Sequence, residues 1–265
     1  MRKQIAAIAV AALLVFAGCS AGGDGGATTA APETTDAPTD TTATESSDDG
    51  PVYESPLDAA TVADNHESAI RDAGTFTLVS TSNQTQGGQS YTVTSTVAAD
   101  VETGEFLTEQ QAAGRVIEVY GFGNGTAYRR VERSSGETQY AVPPQTPNAS
   151  QLAGGDIESF VKAFSFDHAG SETIDGTSTH VYEASGVEDI NESEFSNLDV
   201  ENVSSIDAGV YVTDDGLVKQ FEYSMTVSTQ NGDVSISVRQ RYTDVGSTTI
   251  EQPPWLDEAR ANTSQ

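Results

Sequence analysis

The sequence predicts an α+β fold built on an antiparallel β-sheet, and three observations carry the prediction. Long stretches alternate apolar and polar residues with a period of two. Pairs such as Asn124-Gly125, Asp175-Gly176 and Asn231-Gly232 punctuate them as hairpin signals, and two segments with helical spacing interrupt the alternation. Strands with one apolar and one polar edge form antiparallel sheets that meet water on one side. Helices that interrupt such a sheet lie on its apolar face.

The first helical segment is SPLDAATVADNHESAIRDAG. Ser55 and Asp58 fit a capping box, Pro56 suits the first helical position, and Gly74 suits the stop. Val62, His66, Ala69, Ile70 and Ala73 make its apolar stripe. The period then changes to two: Phe76 and Leu78 alternate with threonines, and Tyr91, Val93, Ser95 and Val97 alternate with Thr92, Thr94 and Thr96. Strands are expected again at EFLTEQQA, RVIEVYGF, GTAYRRVE and TQYAV. PPQTPNASQLAGG reads as a loop, and DIESFVKAF returns to helical spacing with Ile157, Phe160, Val161 and Phe164 on one face.

Strands resume at THVYEA. The clearest pair is LVKQFEYSMTV with the segment after Asn231-Gly232, where Phe221, Tyr223, Met225, Val234, Ile236 and Val238 occupy the apolar edge. Asp214-Asp215-Gly216 marks a turn before it. PPWLDEAR closes the chain as a short helix begun by Pro254 that docks Trp255.

The amino-terminal sequence has a different character. Arg2 and Lys3 precede the apolar run Ile5–Ala17, which is too short for a bilayer span of about 20 residues but suits a secretory signal. Ala17 and Gly18 lead into Cys19, the one cysteine of the chain, so no disulfide forms within it. A catalytic thiolate needs a base and a shaped pocket, whereas Cys19 is followed by SAGGDGGATTAAPETTDAPTDTTATESSDDG. That stretch has no aromatic or branched aliphatic residue and reads as a disordered acidic tether. The expected organisation is therefore a signal over residues 1–18, a tether over 19–52 and one α+β domain over 53–265.

The formal net charge is −28, from 40 acidic and 12 basic residues, and beyond the leader the only lysines are Lys162 and Lys219. Such a surface repels nucleic acid, which is bound through basic patches. Depletion of lysine without acidic blocks points to a halophilic protein, whose surface charges are screened within about 3 Å at molar salt.

No catalytic constellation emerges. His66, His168 and His180 share no metal-ligand spacing, no G-x-S-x-G elbow occurs, and the glycine-rich YGFGNGTAY sits in a hairpin instead of between a strand and a helix. The expectation is a protein without catalytic residues, metal or cofactor. Six asparagines stand in N-x-S/T sequons, Asn83, Asn124, Asn148, Asn191, Asn202 and Asn262, and are candidates for surface glycosylation. Arg129, Arg130 and Arg133 cluster in one hairpin. They read either as a contact for an acidic headgroup or partner, or as charge balance on an exposed strand face.

The run into Cys19 resembles a prokaryotic lipobox, with Phe16 where that motif carries Leu or Val. Together with the Thr/Asp-rich tether, the helix–meander–helix–meander layout and the ending DDGLVKQFEYSMTV…PPWLDEA, the chain resembles haloarchaeal lipoproteins. These are similar in layout to the LolA/LppX/LprG class. The resemblance implies lipidation of Cys19, anchorage at the extracellular face of the membrane, and a curved, half-open barrel with helices on its concave face. It also implies a cavity for acyl chains between sheet and helices. For this chain the candidate wall is Phe160, Phe164, Phe221, Tyr223, Met225, Val234, Ile236 and Val238. The expected function is a membrane-anchored lipoprotein that carries a hydrophobic, lipid-like ligand without catalysis. The alternative is a glycosylated cell-envelope interaction module with a packed core.

Overall fold

A computed structural model describes residues 52–154, 156–195 and 199–263. The expected signal, Cys19 and all but the end of the tether lie outside the described residues. The described residues open with α1 (Ala59–Ala73), followed by β1 (Thr75–Gln86), β2 (Gln89–Asp100), β3 (Phe106–Ala112), β4 (Arg115–Gly121), β5 (Ala127–Arg133) and β6 (Thr138–Ala141). Helices α2 (Ala149–Ala153) and α3 (Ile157–Ala163) come next. Strands β7 (Asp167–Ile174), β8 (Thr177–Ala184), β9 (Val203–Val212), β10 (Val218–Thr229) and β11 (Gly232–Thr243) follow, and α4 (Leu256–Thr263) is the last described element.

The eleven strands of the described residues form one antiparallel sheet in the order β6-β5-β4-β3-β2-β1-β11-β10-β9-β8-β7. It consists of two meanders joined where β1 pairs with β11, Leu78 opposite Tyr242 and Ser82 opposite Val238. The sheet is curved and unclosed: β6 and β7 are its two edges, and α2 and α3 lie on the connection between them. Its hairpins follow their turn residues. Gly87 and Gly88 both have positive φ, +57° and +78°, which lets a two-residue loop match the twist of β1 and β2.

Registry divides the sheet into two chemically distinct faces. Leu78, Val97, Val119, Tyr242, Phe221 and Val210 share the first face with their cross-strand partners. The second face carries every Asp and Glu found in the strands, from Asp100, Glu109, Glu118 and Glu132 to Glu183, Asp207, Glu222 and Asp233. Helices α1, α2 and α3 pack on the first face. The main core there joins Val62 and Ile70 of α1 and Ile157, Phe160 and Val161 of α3 to Phe76, Leu78, Val210, Val218 and Phe221 of the sheet.

His66 locks α1 to this face. It is fully buried, accepts a hydrogen bond from the Val218 amide at Nδ1 (3.2 Å) and donates from Nε2 to the Ala153 carbonyl (3.0 Å). The Tyr242 hydroxyl donates to the same carbonyl at 2.9 Å, and the two rings meet edge to face with centroids 4.5 Å apart. Burial drives the imidazole pKa down to about 4, so it is neutral at physiological pH.

Four local expectations change. The cap of α1 is Asp58, whose carboxylate accepts from the Thr61 amide at 2.8 Å, while Ser55 instead accepts from the His168 amide at 3.0 Å. The segment read as a loop contains α2, started by a reciprocal Asn148–Gln151 capping box. Strands β7 and β9 were not expected. Finally, α4 starts after Trp255 and covers the second face: Trp255, Leu256 and Ala259 pack with Tyr120, Leu107, Tyr128 and Tyr140. Trp255 Nε1 donates to Glu118 (3.1 Å) and the Tyr140 hydroxyl donates to Glu258 (2.9 Å), which fixes the helix over β4–β6. Among the described residues no helix is long and apolar enough to cross a membrane.

Candidate functional site

The eight residues expected to wall a cavity fall into two groups. Phe160 stacks on Phe221 with centroids 4.6 Å apart and touches Phe164 (5.5 Å) and Tyr223 (6.0 Å); Phe164 also meets Tyr223 at 6.2 Å. Phe160, Phe164, Phe221 and Met225 are buried members of the main core, so these side chains fill the space under α3 with one another. Tyr223 and Val238 are half-buried, and Val234 and Ile236 are buried beyond them on β11. The residues thus trace a path out of the packed core along the first face of the sheet.

That path continues across the strands. One cross-strand row runs Tyr223–Val238–Ser82–Val93–Ala112–Arg115–Arg133 from β10 to β5. At about 4.8 Å per strand, the distance from Tyr223 to Arg115 is about 24 Å. Beside it lie Ile117, Val119 and Val131, which with Val93 and Ala112 are only half-buried. The first face therefore has a closed half, packed beneath α1–α3, and a partly open half over β2–β5. On the open half short apolar side chains meet solvent without any carboxylate among them.

The second face holds an open groove of about 460 Å³ over β8–β11, bordered by Asn83 and Thr81 of β1. Gly209 on its wall leaves space for the Tyr211 ring, since a Cβ there would stand 3.2 Å from that ring. Three of its polar side chains engage one another. Glu222 accepts from Arg239 Nε at 2.5 Å and from the Tyr211 hydroxyl at 3.2 Å, and burial together with Glu222 pushes the Tyr211 phenol up to about 12. No histidine or cysteine lines the groove. Among the described residues no group of three or more His, Cys, Asp or Glu side chains stands ready to hold a metal.

The three histidines are distributed as follows. His66 is a core residue. His168 and His180 face each other across β7 and β8 with rings 6.0 Å apart, and His180 Nε2 pairs with Asp214 at 2.7 Å. All six sequon asparagines are exposed. Asn148 caps α2, Asn191 caps a 3-10 turn and donates to the Lys162 carbonyl, and Asn262 donates from its amide to the Glu258 carbonyl. Asn83 stands on the groove wall, accepting from Thr92 Oγ1 at 2.7 Å.

The arginine cluster divides between the faces. Arg130 points to the second face and pairs with Glu118 (2.8 Å) and Glu132 (2.5 Å). Arg129 and Arg133 point to the first, where Arg115 lies directly opposite Arg133. Arg115 was not singled out from the sequence. The signal for it is the Ala113-Gly114 turn, whose positive φ values (46° and 71°) place Arg115 opposite Ala112 and so fix its face.

Residues 4–259 match the family of unknown function DUF7537. The chain belongs to DUF7537. No curated protein matches the sequence of this DUF7537 member. Its structure is similar to that of LprF from Mycobacterium bovis, at 14% identity and a TM-score of 0.40, over 76% of this chain and 99% of that one. It is also similar to lipoprotein LppX from Mycobacterium tuberculosis, at 13% identity and 0.32, over 73% and 99%. A LolA superfamily protein from Nitrosomonas europaea matches at 12% identity and 0.26, over 74% and 96%. The fold assignment of this DUF7537 chain rests on its own strand order and registry.

Proposed function

We propose that the protein is a lipoprotein, anchored through Cys19 at the outer face of the membrane, that binds a hydrophobic, lipid-like ligand without chemical transformation. The observation that carries this reading is the partly open half of the first face. A large amphipathic sheet covers its apolar side to remove it from water, yet Val93, Ile117, Val119 and Val131 remain half-buried. A lipid tail spans about 15 Å, half the hydrocarbon core of a bilayer, so the row from Arg115 toward Tyr223 is long enough to seat one. Pockets for such ligands are concave, largely apolar and carry few polar groups. The lipobox-like run into Cys19 and the acidic tether supply the anchor, and the exposed sequons supply glycosylation sites on a surface held outside the cell.

One preparation tests both parts. The Cys19→Ser variant, expressed with its leader, should leave the membrane fraction and appear in the soluble fraction. Organic extracts of this variant, purified without detergent, should contain lipid by mass spectrometry in a stoichiometric amount. Retention at the membrane of chains whose leader has been cleaved would overturn the anchor. Repeated extracts free of lipid would overturn carriage in favour of an envelope interaction module, for which the packed core under α3 and the polar groove would then be the relevant features.

A further inference from the structure

The charge distribution of the first face is anomalous for a chain with more than three acids per base. Among the described residues Arg71, Arg130, Lys162, Arg239, Arg241 and Arg260 each have a carboxylate within ion-pair distance. Arg115, Arg129 and Arg133 have none, and neither does the buried Lys219. The three arginines share one face and one pair of strands. Arg115 and Arg133 are direct cross-strand neighbours, a like-charge pairing that destabilises a sheet. Arg129 sits opposite Val119 on the same face. All three are exposed.

Charge balance does not explain them. The strand carboxylates that would balance them, Glu109, Glu118 and Glu132, all point to the other face, where Glu118 and Glu132 are already engaged by Arg130. The arrangement instead keeps three guanidinium groups free around an apolar floor of Ile117, Val119 and Val131. Guanidinium groups bind phosphate oxygens in pairs of parallel hydrogen bonds. Contacts of that kind, made at hydrogen-bond distance, are screened by salt less than attraction across more than a Debye length is.

We propose that Arg115, Arg129 and Arg133 form the headgroup site of the bound ligand, which is a lipid with a phosphate head. Its tail runs from the arginines across Val93 toward Tyr223. The proposal rests on the lipid-binding reading above and adds the ligand's charge and orientation. It also separates the roles of the two ends of the row: the arginine end confers selectivity, and the Tyr223 end abuts the closed core.

Calorimetric titration of the Cys19→Ser protein at molar salt tests it, with a long-chain alkyl phosphate, the matched alkyl alcohol and inorganic phosphate as probes. The alkyl phosphate is expected to bind at least about tenfold more tightly than either other probe. The triple substitution Arg115→Gln, Arg129→Gln and Arg133→Gln should abolish that preference while leaving alcohol binding and the unfolding midpoint intact, the midpoint unchanged or raised because a repulsive pair is removed. Substituting the helix residue Arg71→Gln should change neither. Equal binding of alkyl phosphate and alcohol would overturn the headgroup site and leave lipid binding standing. Inorganic phosphate binding as tightly as the alkyl phosphate would overturn the lipid in favour of a free anion. Absence of binding by both amphiphiles would overturn the lipid reading itself.

Discussion

Replacing Phe160 with alanine should lower the unfolding free energy by about 3–5 kcal/mol, the range found when a large aromatic leaves a packed core. Phe160 is 7% exposed and touches Phe164, Phe166, Phe221 and Tyr223, so its removal empties the centre of an aromatic cluster that joins α3 to β10. Helix α3 is seven residues long, and its place on the sheet depends on this face. Denaturant titration of Phe160→Ala beside the parent protein measures the effect. If the cluster were instead the lining of a ligand cavity, truncation would enlarge a space already built to be occupied, and the loss would fall below that range.

Lowering the pH from 7 to 5 should weaken the fold through His66 by about 2 kcal/mol. Burial holds its folded pKa at about 4, against about 6.5 in the unfolded chain. The unfolded state therefore binds the proton first as pH falls. The stabilising contribution is fully present above pH 6.5, declines through the interval from 6.5 to 4, and is gone below pH 4. The loss at completion is about 3 kcal/mol. A His66→Gln variant should be less stable at pH 7, because it disturbs the hydrogen bonds to Val218 and Ala153. Its stability should also lack this slope between pH 6.5 and 4. Parallel pH profiles for the two proteins in the same denaturant would contradict a neutral, buried imidazole.

Both effects fall on residues whose faces the sequence exposes and whose partners it conceals. The period of 3.6 in DIESFVKAF and the period of two in β10 and β11 place Phe160 and Phe221 on apolar faces, but only the assembled sheet brings them to 4.6 Å. Where a strand was missed, the periodicity is interrupted. The register shift between His168 and Gly170 breaks the alternation of β7, and β9 carries Gly209 and a second shift opposite Thr226–Val227. The helix α2 escaped because Pro143 and Pro144 dominate its approach, although Asn148 and Gln151 stand three apart as a capping box requires.

The open half of the first face is the least legible feature. Val93 and Val131 stand between polar residues and Ile117 and Val119 flank Glu118, as in a core-facing strand, and nothing local to them records that α1, α2 and α3 leave them partly uncovered. The arginines were visible as a cluster, yet their division into paired Arg130 and unpaired Arg129 and Arg133 follows from strand alternation and the positions of Glu118 and Glu132. The carboxylates show the same logic at the scale of the sheet. One face collects every strand carboxylate of the described residues, and that face is where α4 and the polar groove are found.

The central claim is that lipid lies on the helix-bearing face over β2–β5, and photocrosslinking addresses it directly. A long-chain alkyl phosphate carrying a diazirine in its tail would be bound to the Cys19→Ser protein, irradiated, and the adducts assigned to residues by mass spectrometry. The expected adducts fall on Val93, Ile117, Val119, Val131 and Val238, and free alkyl phosphate should compete them away. Competed adducts at Asp207, Tyr211 or Glu222, in the groove of the opposite face, would contradict the assignment, as would labelling that free ligand leaves unchanged.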